Sequence, residues 1–148
     1  AQRRVATLVA KHSAARSGRS ASADATARKV ALMRLKNKAK GSAKVAAADR
    51  VYIELLLPME LERKPVHVFV HRRWNCGKVL DEVARVARVA NRNNEPDARR
   101  LYLLSVRTGE PLPTMTPIGE LDAGVFASGD ALLLEYWLEQ QQQQQQPQ

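Results

Sequence analysis

Few residues in this 148-residue chain are equipped for chemistry. Cys76 is the lone thiol, and His12, His67 and His71 are the histidines. A structural zinc finger needs four ligands, for which one cysteine and three histidines are too thin a set, and one cysteine cannot close an internal disulfide. His67 and His71 fall on one face of an expected strand, and four residues of strand separate them by about 13 Å, too far to share a metal. Cys76 stands at the first turn of an expected helix, where a thiol pKa can fall. A nucleophile there would want a histidine beside it, but the helix phase sends Cys76 inward with Val79 and Val83, so it reads as a core thiol. Asp81-Glu82 and Glu60/Glu62 are expected on solvated surfaces. The chain has no P-loop, GxGxxG, HExxH or GxSxG pattern. The expectation is a non-catalytic protein with no cofactor in this chain.

Charge divides the sequence in two. The formal net charge is +9. Residues 1–48 carry twelve Lys/Arg and one acid, Asp24, and contain no Pro, Trp, Tyr or Phe; residues 49–148 are slightly acidic and hold every aromatic residue. The first part cannot bury enough apolar surface to offset its own ordering entropy, so the globular domain is expected over 49–138. Within 1–48, the opening ATLVAKH reads as a helix remnant in a frayed connector, with no apolar run long enough for a secretory signal. Ser13–Ala23 reads as a flexible linker. A helix is expected over 26–40, capped by Asp24 or Thr26 and ended by Gly41, with Val30 and Met33, joined by Leu32 and Leu35, as its apolar stripe. Such a helix is marginal alone and needs a surface to lie on. Residues 139–148, mostly glutamine, read as a disordered tail. No run of about 18 apolar residues suggests a transmembrane helix.

The second part alternates between strand and helix patterns. Arg50–Leu57 is a strand with Val51, Ile53 and Leu55 inward and Glu54 outward, stopped by Pro58. In Pro65–His71, Val66, Val68 and Val70 share one face, and His67, Phe69 and His71 the other. Asn75 caps an amphipathic helix that buries Cys76, Val79, Leu80, Val83, Val86, Ala87 and Ala90, and Asn91–Asn94 ends it. Arg100–Leu104 is a third strand with Leu101 and Leu103 inward. Thr108–Glu110 is a turn, Leu112 is expected to open a very short strand, Ile118–Leu121 is a helical turn, and Ala131–Trp137 is the last strand. The order β-β-α-β-(β)-β lets one helix cover one sheet face, which is an α+β fold of the β-grasp kind.

Five segments together are more specific: RKVALMRLKNKAKG (28–41), DRVYIELLLP (49–58), HRRWNCGKVLD (71–81), RLYLLSVRTGEPLP (100–113) and GDALLLEY (129–136). This set resembles the C-terminal half of AN1-type zinc-finger proteins that end in a ubiquitin-like domain. The likeness spans residues 26–137. Asn75 stands where the family usually has Ser, and both cap well. The family's Cys- and His-rich fingers are absent, so the chain, which opens on Ala1, reads as a piece of a larger protein, with zinc expected only in those fingers. The resemblance implies a cytoplasmic, and also nuclear, monomeric adaptor. It would link the valosin-containing AAA ATPase and the proteasome in protein quality control and stress response. The tail after Trp137 lacks the Gly-Gly that conjugation requires, so an integral ubiquitin-like domain is expected.

In ubiquitin-like folds the outer sheet face usually docks partners. Here its outward positions are Arg100, Tyr102 and Leu104 on one strand and Ala131 and Leu133 on the other, an aromatic and aliphatic cluster flanked by a guanidinium. These five are the candidate partner-binding residues. The alternative is that the 26–40 helix folds back over part of this face. The turn Arg107–Pro111 lies near where ATPase-binding UBX modules carry Phe-Pro-Arg, which this sequence lacks, so an ATPase contact would be made differently. A rival function is nucleic-acid binding through the basic arm, salt-dependent and non-specific, with no aromatic residue interleaved for base stacking.

Overall fold

The computed structural model describes residues 6–7, 9–10, 21–96 and 99–137. Four strands form one mixed sheet: β1 (Arg50–Leu56), β2 (Val66–His71), β3 (Arg100–Ser105) and β4 (Ala131–Trp137), in the order β2-β1-β4-β3. β1 and β2 form an antiparallel hairpin, β4 returns parallel to β1 with Glu54 opposite Ala131, and β3 pairs antiparallel with β4. Two helices, α1 (Ala21–Lys38) and α2 (Cys76–Ala87), lie on opposite faces of the sheet.

Period-two alternation on each strand meets the three-and-four spacing of α2 on the inner face. Ile53, Leu55, Val68, Val70, Leu101 and Leu103 there pack with Val79 and Val83, both fully buried. The β-grasp arrangement expected from the sequence is the one observed. The Asn75 side chain accepts the Lys78 N–H at 2.8 Å and caps α2. The helix ends earlier than expected. Arg88 turns left-handed (φ 57°), Val89 N–H donates to Ala84 O at 2.9 Å, and Val89 is buried. That closure turns Ala90 to solvent, so Asn91–Asn94 is not the stop signal. Leu112 opens no strand. Its N–H donates to Leu103 O at 2.9 Å and its side chain enters the core, but the prolines on either side prevent a ladder.

α1 differs most from expectation. It begins at Ala21, inside the stretch read as linker, so Asp24 and Thr26 are helical residues rather than caps. Alanines at 21, 23, 25 and 27 favour this extension. Its inward side is Leu32 and Leu35, joined by Ala39 just past its end, packed with Val45, Tyr52, Phe69 and Trp74. Val30 and Met33 point outward instead, 44% and 67% exposed. The helix stops at Lys38 so that Lys40 can join the edge of β2: its N–H donates to His67 O at 2.9 Å and its carbonyl accepts the Phe69 N–H at 3.0 Å. Gly41 is required by this close approach, since a Cβ would lie 2.5 Å from Phe69 O. The Gln-rich tail and most of the linker expected at Ser13–Ala23 lie outside the described residues.

Candidate docking face

The five candidate residues do lie together on the outer face, where β4 and β3 run side by side. Leu104 is directly opposite Leu133, and Leu133 is also opposite Leu56 of β1. Three leucines thus cross three adjacent strands in one row, extended by Val106 and bordered by Tyr102 and Ala131. Arg100 is exposed at the end of β3.

The face is not bare, which corrects the expectation. Leu104 is 0% and Leu133 1% exposed. Val9, in the helical residues near the N-terminus, packs against this cluster. The physical reason is the size of the row: several aliphatic side chains in one patch are costly to leave in water, and an apolar residue of the same chain covers them. Tyr102 and Ala131 remain half-buried. α1 folds back over the other half of the same face, on Tyr52 and Phe69, with Lys36 Nζ 5.9 Å from the Tyr52 ring centre and the Arg50 guanidinium 4.1 Å from that of Phe69. Internal packing thus reaches both halves of the outer face, α1 over Tyr52 and Phe69 and Val9 against the leucine cluster.

Polar groups that the sequence reading missed hold this geometry. Arg107 and Asp130 form a buried two-pronged pair, Nε to Oδ2 at 2.8 Å and Nη2 to Oδ1 at 3.1 Å, with side chains 6% and 8% exposed. Asp130 Oδ2 also accepts the Ala127 N–H at 2.9 Å. The pair ties the turn after β3 to the start of β4, one residue before Ala131. Ser105 Oγ donates to Val125 O at 2.6 Å and accepts the N–H groups of Arg107 and Thr108. Glu135, buried on β4 opposite Tyr102, accepts the Met59 N–H at 3.2 Å and its neighbour's N–H at 3.1 Å. Asn93 mimics a strand at the open edge of β3: Leu101 N–H donates to its Oδ1 at 2.7 Å, and its Nδ2 donates to Leu101 O at 2.9 Å. An Asp one residue before a strand was the one available signal for the ion pair, but its partner lies 23 positions away.

The other sequence candidates take structural places. Cys76 is buried against the α2 core, and burial pushes its thiol up to about 11. His71 lies 3.6 Å from Asp49, whose carboxyl is held below its ordinary value chiefly by the hydrogen bond from Arg72. Among the described residues no three His, Cys, Asp or Glu side chains group to hold a metal ion, and no helix is long and apolar enough to cross a membrane.

Residues 69–137, from mid-β2 through β4, match the family model of the ZFAND1-like ubiquitin-like domain. Residues 69–137 thus form a ubiquitin-like domain of the ZFAND1-like kind. The chain is similar to human AN1-type zinc finger protein 1, at 36% identity over 121 residues. It is 38% identical over 100 residues to the mouse protein of the same name. These alignments take in 79% and 68% of this chain but 45% and 37% of those proteins, so the chain spans less than half the length of the curated relatives it matches. The human alignment is too long for the matched domain alone and extends upstream into α1. The family expected from the five motifs is the family found, and such a domain supports a protein-interaction role.

Proposed function

We propose that the chain is a non-catalytic adaptor module. Its ubiquitin-like domain docks the N-terminal domain of the valosin-containing AAA ATPase, and with it the proteasome, in quality control and the stress response of the cytoplasm and nucleus. It acts as a monomer, and its own residues hold no cofactor. The observation that carries this reading is the leucine row of Leu56, Leu133 and Leu104, with Tyr102 and exposed Arg100 at its border. A half-exposed aromatic beside an arginine is the usual make-up of an interface anchor. Because Val9 already packs against the leucine cluster, the partner engages Tyr102 and Arg100 first and reaches the leucines as Val9 leaves. The rival reading rests on the basic excess of residues 1–48 and is nucleic-acid binding.

Titration of the labelled chain with the ATPase N-terminal domain tests the proposal. Amide shifts should centre on Tyr102 and Leu133, Tyr102→Ala should weaken binding tenfold or more, and Val9→Asp should strengthen it. Unchanged affinity in Tyr102→Ala, with the fold retained, removes this face from the interface. Shifts confined to residues 1–44 on adding RNA support the rival.

A further inference from the structure

α1 carries a second surface, facing away from the sheet. With Leu32, Leu35 and Ala39 turned inward, helical geometry places Val30 and Met33 on the opposite side, one turn apart. Lys29 borders this pair on one side, and Arg34 and Lys38 on the other, while Lys36 turns back over the Tyr52 ring. Between residues 26 and 44 there are seven Lys/Arg and no acid. Among the described residues no carboxylate pairs with any of the three flanking cations. The helix is held in place from its other side, by the packing of Leu35 and the Lys40 bridge to β2, so this outer ridge is presented in a fixed direction.

We propose that this ridge docks an acidic amphipathic protein segment, Val30 and Met33 entering its apolar stripe while its carboxylates meet the three flanking cations. Charge complementarity selects an acidic partner. The apolar pair selects protein over nucleic acid, because a phosphate backbone gives Val30 and Met33 nothing to pack on and α1 has no aromatic residue to stack on bases. An unbranched Met is suited to such a contact, since it adapts to an irregular apolar surface. This surface is separate from the leucine row, so either can fail without the other.

The probe is a synthetic helical peptide with leucines at three- and four-residue spacing flanked by glutamates, followed by fluorescence anisotropy on the full chain. The paired change Val30→Ser with Met33→Ser keeps every charge and should weaken binding tenfold or more, whereas Tyr102→Ala should leave it unchanged. A scrambled peptide of the same composition should bind at least tenfold more weakly. Should the serine pair disturb Trp74 fluorescence, which reports on α1 packing, Met33→Gln alone replaces it. Equal binding of the scrambled peptide, or indifference to both the serine pair and Met33→Gln, overturns the proposal by reducing the attraction to charge alone. So does a single-stranded RNA that displaces the peptide with an affinity untouched by the serine pair.

Discussion

Asp130→Ala tests how the docking face is held. The Arg107–Asp130 pair is almost wholly withdrawn from water and joined at 2.8 and 3.1 Å. Removing the carboxylate leaves the guanidinium buried without its partner, a loss of about 3–5 kcal/mol, far above the ~1 kcal/mol of a surface pair. The Ala127 N–H also loses its acceptor. Against a total stability of about 5–15 kcal/mol for a domain of this kind, that loss approaches global unfolding at body temperature. The assay is urea denaturation with linear extrapolation, where the midpoint should fall and the slope stay constant. Replacing both partners by apolar residues, Arg107→Met with Asp130→Leu, should recover most of the loss, because no charge is then stranded. Two results refute the reasoning. A cost below about 1 kcal/mol for Asp130→Ala makes the pair equivalent to a solvated one. A double variant as damaged as the single one shows that the turn around Ala127 and Gly129, where φ is 98°, matters rather than the charge.

Three further outcomes are expected. The Cys76 thiol, pushed up to about 11 by burial, should react with a disulfide reagent at pH 8 only as fast as the domain opens. Because the unfolded thiol ionises at lower pH than the folded one, its contribution to stability is complete below the unfolded pKa and is lost as pH climbs toward 11, an effect absent in Cys76→Ala. Gly41→Ala should cost about 1–3 kcal/mol by forcing a methyl against Phe69 O, and should loosen α1, seen as a lower melting temperature with altered Trp74 fluorescence. Asn93→Ala removes both hydrogen bonds to Leu101 and should cost about 1–3 kcal/mol, with faster exchange of the Leu101 amide.

How much was legible from the sequence depends on the range of the interaction. Val66, Val68 and Val70 alternate within one strand, and Val79, Leu80 and Val83 recur within one helix, so their inward faces could be read locally. α1 could not, because its apolar residues encircle more of the helix than one stripe. Leu32/Leu35 and Val30/Met33 are competing faces of similar hydropathy. The choice between them was made by Tyr52 and Phe69, which only the β1–β2 hairpin brings together. That the candidate residues share one face could be read locally, since strand parity puts Tyr102 with Leu104 and Ala131 with Leu133. Its exposure could not, because Val9 is almost a hundred positions away from Leu104 in sequence.

The order of residues by itself settled the four main strands, α2, the inner core and the family, since each rests on repeats of two or of three to four, or on motifs a few residues long. Which side of α1 meets the sheet, what lies over Leu104 and Leu133, and how Arg107 finds Asp130 were decided only when the chain closed on itself. These contacts join residues remote in sequence, and their energies come from water excluded between surfaces that neither segment possesses alone.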